Sequence, residues 1–193
     1  MKERVVIAGF GGQGVLFAGE VLANSGMQDG KEVTWWPSYG PEMRGGTANC
    51  HVTISDKPIV SPVITAADSL ILMNRQSVER FRDTVRPDGT MIINSSLAAD
   101  CEARDDVKVF RIPANDIAIE LGNNKAANMV MLGAYIKVTG AVSMTSAESS
   151  AMTVLGAKKQ DLAELNIKAL KKGYEYIGGV YDDHNSKDKK AKE

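Results

Sequence analysis

The stretch that decides the fold is Val5-Val6-Ile7-Ala8-Gly9-Phe10-Gly11-Gly12-Gln13-Gly14, an apolar run that leads directly into a glycine-rich turn. The run predicts a buried β-strand, and the turn predicts the start of a helix at Val15. Gly9, Gly11 and Gly14 match the G-x-G-x-x-G spacing, in which glycine permits a tight turn, close approach of the backbone to a ligand and close packing of the helix. The free N–H groups and the dipole of such a helix start favour an anion, usually a phosphate.

A nicotinamide dinucleotide site would need a second feature, an acidic residue at the end of the second strand that holds the ribose. The second predicted strand, residues 32–36, instead ends in Trp35-Trp36 and is followed by Pro37. The sequence therefore favours a Rossmann-like phosphate turn without nicotinamide chemistry. The alternative is that the three glycines only let the helix pack closely on the sheet.

Short apolar strands alternate with helices along most of the chain. Strands are expected at residues 4–9, 32–36, 48–54, 69–73, 90–94 and 107–111. Helices are expected at residues 13–25 and 75–86, and from the last strand to about residue 179. This order predicts an α/β, Rossmann-like architecture, with a mostly parallel sheet, helices on both faces and a helical C-terminal cap. We expect a single domain at residues 1–181 and a disordered polar tail at residues 182–193.

One predicted helix, residues 126–136, is apolar almost all the way round, with Asn128 as the main exception. A helix without a polar face is buried on more than one side. Its second side would then be covered by a neighbouring subunit. The alternative is a helix enclosed entirely within this domain.

Composition limits the possible functions. A net charge of −1 provides no basic surface for nucleic acid, and no apolar run reaches the length of about 18 residues that spans a membrane. The first residues, Met-Lys-Glu-Arg-Val, lack the apolar segment of a signal peptide, so we expect a cytoplasmic protein. Only two cysteines are present, Cys50 and Cys101, and they lie far apart. This excludes a self-contained iron–sulfur cluster or a cysteine zinc site, and we expect no metal site on this chain.

The second unusual stretch is Pro37-Ser38-Tyr39-Gly40-Pro41-Glu42-Met43-Arg44-Gly45-Gly46. Loops at the carboxyl ends of strands form the ligand crevice of a doubly wound sheet, so this loop should face the glycine turn. Arg44 offers donors that suit phosphate or carboxylate, and the glycines after it permit close backbone approach. The alternative is a tight loop with a surface arginine. The candidate binding residues are Gly9, Gly11, Gly12, Gln13, Gly14, Tyr39, Arg44, Gly45 and Gly46, and no residue is assigned a catalytic role.

Together these two stretches resemble the gamma subunit of 2-oxoacid:ferredoxin oxidoreductases, of the pyruvate, 2-oxoglutarate or 2-oxoisovalerate type. Three further segments, Ser61-Pro62, Ala67-Asp68 and Leu121-Gly-Asn123, follow in the expected order, and Asn128-Met-Val-Met-Leu-Gly133 completes the pattern. The resemblance covers residues 4 to about 178. The pairing of the glycine turn with the Tyr-Gly-Pro-Glu-x-Arg-Gly-Gly loop makes it specific.

The resemblance implies a subunit of an enzyme that converts a 2-oxoacid and coenzyme A into acyl-CoA and CO2 and reduces ferredoxin. It also implies partners: alpha and beta subunits, with thiamine diphosphate and magnesium on beta, and iron–sulfur clusters on a delta or beta subunit. This chain would bind none of these cofactors stably and would be inactive alone. Its glycine turn and Arg44 would assist coenzyme A binding, or the turn would act in assembly.

Alternative functions remain open at this point. The chain could be the smaller subunit of an indolepyruvate ferredoxin oxidoreductase, which has the same motifs. It could also be a non-catalytic Rossmann-like module that binds a dinucleotide or serves as a scaffold.

Overall fold

The computed structural model describes residues 1–39, 46–156 and 160–190, which form six strands and seven α-helices. The strands are β1 (Lys2–Phe10), β2 (Glu32–Tyr39), β3 (Thr47–Ser55), β4 (Ala67–Leu72), β5 (Val85–Asn94) and β6 (Lys108–Ile112). The helices are α1 (Val15–Gln28), α2 (Arg75–Phe81), α3 (Ser95–Ala98), α4 (Ala114–Glu120), α5 (Ala127–Thr139), α6 (Met144–Leu155) and α7 (Gln160–Lys190). The strands form one sheet in the order β2-β3-β1-β4-β5-β6.

Helices cover both faces of the sheet. Successive side chains of a strand point to opposite faces, so a single strand contributes to the core on each side. In β1, Val5 and Ile7 belong to a core that includes residues of α1 and of α4 to α7. Val6 and Ala8 belong to a second core on the opposite face, which is covered by α2 and α3. The α/β architecture with helices on both faces and a helical C-terminal region is confirmed.

The expectation of a mostly parallel sheet is confirmed, with one exception: five of the six described strands run in the same direction, and β3 runs against them. The β1–β4, β4–β5 and β5–β6 pairings are parallel, but β3 is antiparallel to both of its neighbours, β1 and β2. Its direction follows from its connection: residues 40–46 are too few for the helical crossover that a parallel neighbour requires. The strands also extend into the stretch expected to be an irregular loop, because β2 continues through Pro37 to Tyr39.

Helix α5 is enclosed within the domain, and the expectation that a neighbouring subunit covers it is wrong. Every residue from Ala127 to Ile136 is buried, and Met131 and Tyr135 are 0% exposed. Helix α7 supplies the second cover, and it approaches closely because glycines lie at the crossing. A Cβ atom on Gly133 would overlap the carbonyl oxygen of Leu170.

The C-terminal helix is longer than the sequence indicates. Helix α7 continues to Lys190, through most of the stretch expected to form a disordered tail. The domain boundary at residue 181 stays a prediction. Within the ranges described above, no helix combines the length and the apolar character needed to cross a membrane.

Candidate functional site

The topology creates a crevice between the carboxyl ends of β1 and β4. These two strands are parallel neighbours, but α1 packs on one face of the sheet and α2 on the other. The connections that follow β1 and β4 therefore diverge. In open α/β sheets this point, where the direction of winding changes, is where ligands bind.

The glycine turn forms one wall of this crevice, and its glycines have different roles. A Cβ atom on Gly9 would lie 2.8 Å from Gln13 Oε1 and 2.9 Å from Met73 Cβ, so this glycine permits close packing. Gly14 caps α1 in the left-handed conformation, with φ 71°, and accepts a 2.9 Å hydrogen bond at its carbonyl from Asn128 Nδ2. Gly12 is exposed, has φ 99°, and has no atom within 4 Å of an added Cβ position. Close packing thus accounts for Gly9 and Gly14, whereas Gly12 is open to a ligand.

Of the part of the second predicted segment that the structure describes, Gly46 contacts the turn. The Gly11 N–H donates a 3.0 Å hydrogen bond to the carbonyl of Gly46, the residue before β3. Arg44 and Gly45 lie outside the described residues, as does the side chain of Tyr39. Their participation stays a prediction.

Amide side chains form the floor of the crevice beside the turn. Gln13 Oε1 accepts hydrogen bonds of 2.7 Å from the Phe10 N–H and from Asn74 Nδ2. Asn74 follows β4, is 3% exposed, and caps α2 by accepting a hydrogen bond from the Ser77 N–H. The turn after β1 is therefore tied to the loop after β4.

A second run of amides continues along the same edge of the sheet. Asn94, at the end of β5, donates from Nδ2 to the Met73 carbonyl and to Asn115 Oδ1. Asn115 follows β6 and donates from Nδ2 to Asn124 Oδ1, at 2.6 Å. Sequence reasoning missed this run. The signal was present, since Asn74, Asn94 and Asn115 each stand at or just after the end of an apolar strand, and parallel strands end at one edge.

A cavity of about 240 Å³ opens where the turn and the amides meet. It is lined by Gly12, Gln13, Met73, Leu97, Asn115, Asn124, Lys125 and Ala127. Met73 and Leu97 provide apolar surface, and Lys125 provides the one charged group in this lining. The predicted residues Gly12 and Gln13 are thus joined by Asn115, Asn124 and Lys125, which were not predicted.

Outside the crevice, burial and ion pairs within the fold determine the pKa values of several ionisable groups. Burial raises the pKa of the Cys50 thiol to about 12 and lowers the pKa of His51. Burial would also raise the pKa of Asp68, but hydrogen bonds from Arg4 and Arg86, at 2.8 and 2.6 Å, outweigh it and hold that pKa below its usual value. Among the residues whose positions are described, no group of three or more His, Cys, Asp or Glu side chains could hold a metal ion.

Comparison with known proteins identifies relatives over nearly the whole chain. Residues 4–176 match the family described as pyruvate ferredoxin/flavodoxin oxidoreductase. The ketoisovalerate oxidoreductase subunit VorA of Methanothermobacter marburgensis is 36% identical over 177 residues, which cover 91% of this chain and 36% of that protein. The 2-oxoglutarate synthase subunit KorC of Methanocaldococcus jannaschii is 35% identical over 178 residues, which cover 91% of this chain and 94% of that protein.

Solved structures that share the fold include the following two. The gamma subunit of a keto/oxoacid ferredoxin oxidoreductase from Geobacter sulfurreducens has a TM-score of 0.79 and 29% identity, over 93% of this chain and 98% of that one. The 2-oxoglutarate:ferredoxin oxidoreductase from Magnetococcus marinus has a TM-score of 0.83 and 23% identity, over 92% of this chain and 31% of that one. The domain thus occurs both as a separate chain and as part of longer chains.

Proposed function

The chain belongs to the pyruvate ferredoxin/flavodoxin oxidoreductase family, and from this membership we propose that it is the gamma subunit of a cytoplasmic 2-oxoacid:ferredoxin oxidoreductase. The assembled enzyme converts a 2-oxoacid and coenzyme A into acyl-CoA and CO2, and transfers the two electrons released to ferredoxin. Relatives named for ketoisovalerate, 2-oxoglutarate and pyruvate support the substrate class.

The proposal divides the chemistry among subunits. Thiamine diphosphate, magnesium and the iron–sulfur clusters belong to alpha, beta and delta partners, and this chain supplies no catalytic residue. The cysteines support this division, because Cys50 lies buried in β3 and Cys101 lies buried after α3, so that neither is part of a cluster-binding series. The chain alone is folded but inactive.

This chain contacts coenzyme A through the crevice at the carboxyl ends of β1 and β4. The observation that carries the proposal is the open Gly12 beside the start of α1, where free N–H groups favour a phosphate. Arg44 supplies a further donor from the loop that ends at Gly46. The Magnetococcus marinus enzyme, whose structure contains coenzyme A and succinyl-CoA, lends support to this ligand.

The test is Arg44→Ala in the enzyme assembled from this chain and its partner subunits. A charge-assisted hydrogen bond contributes about 1.5–3 kcal/mol, so the KM for coenzyme A should rise roughly 10- to 150-fold. The KM for the 2-oxoacid should stay unchanged. Arg104→Ala is the matched control. Arg104 donates to Asp106 and to the carbonyl of Val85, the first residue of β5, so it lies at the ends of the strands away from the crevice.

Two results would contradict the proposed contact. Unchanged coenzyme A kinetics with an intact complex would show that Arg44 does not bind this substrate. Dissociation of the complex with unchanged coenzyme A kinetics would make the loop an assembly element, and the chain would then act as a scaffold.

A further inference from the structure

The loop between β3 and β4 is longer than the positions of its ends require. Residues 56–66 join the two strands, and in the sheet only β1 lies between them. Because neighbouring strands are about 5 Å apart, the ends of this β3–β4 loop are roughly 10 Å apart. A loop of this length with close ends is an Ω-loop, and Ω-loops are frequently functional.

Two valines of the β3–β4 loop are exposed to solvent. Val60 is 99% exposed and Val63 is 58% exposed. Residues 58–67 carry no charged side chain. A single exposed apolar residue is ordinary on a protein surface, but two of them close together in an uncharged segment form a small apolar contact surface.

Several interactions restrict the conformation of this loop. The Ser61 Oγ atom accepts a 3.2 Å hydrogen bond from the Val63 N–H, and Pro58 and Pro62 have fixed φ angles. Ile64 packs against the core that α2 and α3 cover. The loop therefore has less conformational freedom to lose when its valines bind to another surface.

The first residues of the chain lie at the base of this loop. Lys2 pairs with Ser55 in the β1–β3 ladder, and the Asp56 N–H donates a 3.0 Å hydrogen bond to the Met1 carbonyl. The side chain of Asp56 also accepts a hydrogen bond from Lys31 Nζ. These contacts lie at the amino end of β1, opposite the crevice, and we call this end of the sheet the amino edge.

The C-terminal helix points towards the same edge. Helix α5 begins at the glycine turn, where its Asn128 is bonded, and so runs from the crevice towards the amino edge. Leu170 of α7 lies against Gly133 of α5. Four residues further along each helix, the Tyr174 ring lies 4.8 Å from Lys137 Nζ. Helices α7 and α5 therefore run in the same direction.

The position of both ends indicates what the loop faces in relatives with longer chains. In VorA of Methanothermobacter marburgensis the matched stretch is 36% of the chain, so the remainder is attached to an end of this domain. Both ends of the domain lie at or point towards the amino edge. The attached part therefore begins beside the β3–β4 loop, whichever end carries it. Permanent interfaces of this kind are rich in apolar surface.

We propose that the β3–β4 loop docks this chain onto the partner subunit that corresponds to the remainder of VorA, with Val60 and Val63 in an apolar groove of that subunit. This inference rests on the proposed function and concerns the edge of the sheet away from the crevice. The nine residues of β1 span about 30 Å between the two edges. Docking at the amino edge thus leaves the crevice open to coenzyme A.

Val60→Asp tests the docking in a titration of the full chain against the purified partner subunit. A carboxylate that enters an apolar groove loses its hydration without gaining a partner, so the Kd should rise roughly 100-fold or more. Val60→Ala only removes apolar contact and should raise the Kd about tenfold. The melting temperature of the isolated chain should stay unchanged in both variants, because the Val60 side chain is exposed.

Two further variants separate docking from a general effect of charge. Val63→Asp should also weaken partner binding, because Val63 belongs to the same contact surface. Ile119→Asp is the matched control: Ile119 is a β-branched residue of α4 that is 59% exposed, and the substitution should leave the Kd unchanged. Equal losses of affinity for Ile119→Asp and Val60→Asp would overturn the proposal.

The remaining outcomes distinguish this inference from the proposed function. If Val60→Asp and Val63→Asp leave partner binding unchanged while Arg44→Ala raises the KM for coenzyme A, the docking is wrong and the proposed function stands. If Val60→Asp abolishes only self-association of this chain, the loop joins two copies and the proposal is overturned. If the natural chain neither binds the partner subunits nor supports 2-oxoacid oxidation by them, the proposed function is itself wrong.

Discussion

Gly14→Ala is expected to destabilise the fold by breaking the contact that holds the glycine turn on α5. Gly14 has φ 71° and ψ 23°, and a Cβ atom there would overlap Asn128 Nδ2 and lie 2.9 Å from Asn128 Cγ. Asn128 cannot move aside freely, because it is 4% exposed and donates to the Gly14 carbonyl. The substitution therefore affects both the backbone conformation and the packing of the turn.

The expected magnitude is the sum of two contributions. Placing alanine in the left-handed region costs about 1–2 kcal/mol. Loss of the hydrogen bond between Asn128 and Gly14 adds about 1 kcal/mol. The total, about 2–3 kcal/mol, corresponds to a fall in melting temperature of roughly 5–10 °C for a chain of this size.

Gly140→Ala provides the matched control in thermal unfolding followed by circular dichroism. Gly140 has φ 60° but nothing within 4 Å of an added Cβ, so alanine there incurs only the backbone penalty. In an Asn128→Ala background, Gly14→Ala should likewise incur only the backbone penalty, because the side chain that it would displace is absent. Equal losses for Gly14→Ala and Gly140→Ala in the natural background would refute the reasoning.

Three further predictions concern stability and reactivity. Gly133→Ala should lower the melting temperature more than Gly14→Ala, since a methyl group would overlap the Leu170 carbonyl and separate α5 from α7; an unchanged melting temperature would contradict this close crossing. Burial alone would raise the pKa of Asp68, but its two arginine partners lower that pKa below 3.8. The ionised carboxylate therefore contributes fully to the stability of the fold above about pH 4, and this contribution is lost as the pH falls further. Denaturant titrations should show that Asp68→Asn weakens this loss of stability in acid; an identical acid profile would contradict the assignment. Cys50 is 0% exposed with a pKa of about 12, so iodoacetamide should modify it at pH 8 only after unfolding, and rapid modification of the folded chain would show that the burial is wrong.

Local patterns explain why much of the fold could be predicted. The apolar run at Val5–Ala8 and the glycines after it determine β1, the turn and the start of α1 without reference to distant residues. The antiparallel direction of β3 is a matter of pairing between strands, which local periodicity does not encode. The short connection at residues 40–46 was the one local indication of it, because a hairpin fits that length and a helical crossover does not.

Burial of α5 and the amide floor depend on three-dimensional arrangement. An apolar helix shows that several sides are covered but does not show by what, and glycines at the α5–α7 crossing allow the domain itself to cover both sides. Asn74, taken alone, predicts a helix cap, and Asn94 and Asn115 carry no motif. Their common role becomes visible only when the sheet order places the ends of β4, β5 and β6 side by side.

Amide hydrogen exchange in the assembled enzyme tests the central claim most directly. If the crevice between them binds its phosphate as proposed, coenzyme A should protect the peptides that contain Gly11–Phe17 and Gly122–Asn128. The 2-oxoacid alone should not protect them. Unchanged exchange of both peptides at saturating coenzyme A would contradict the account, because this chain would then not contact the substrate there.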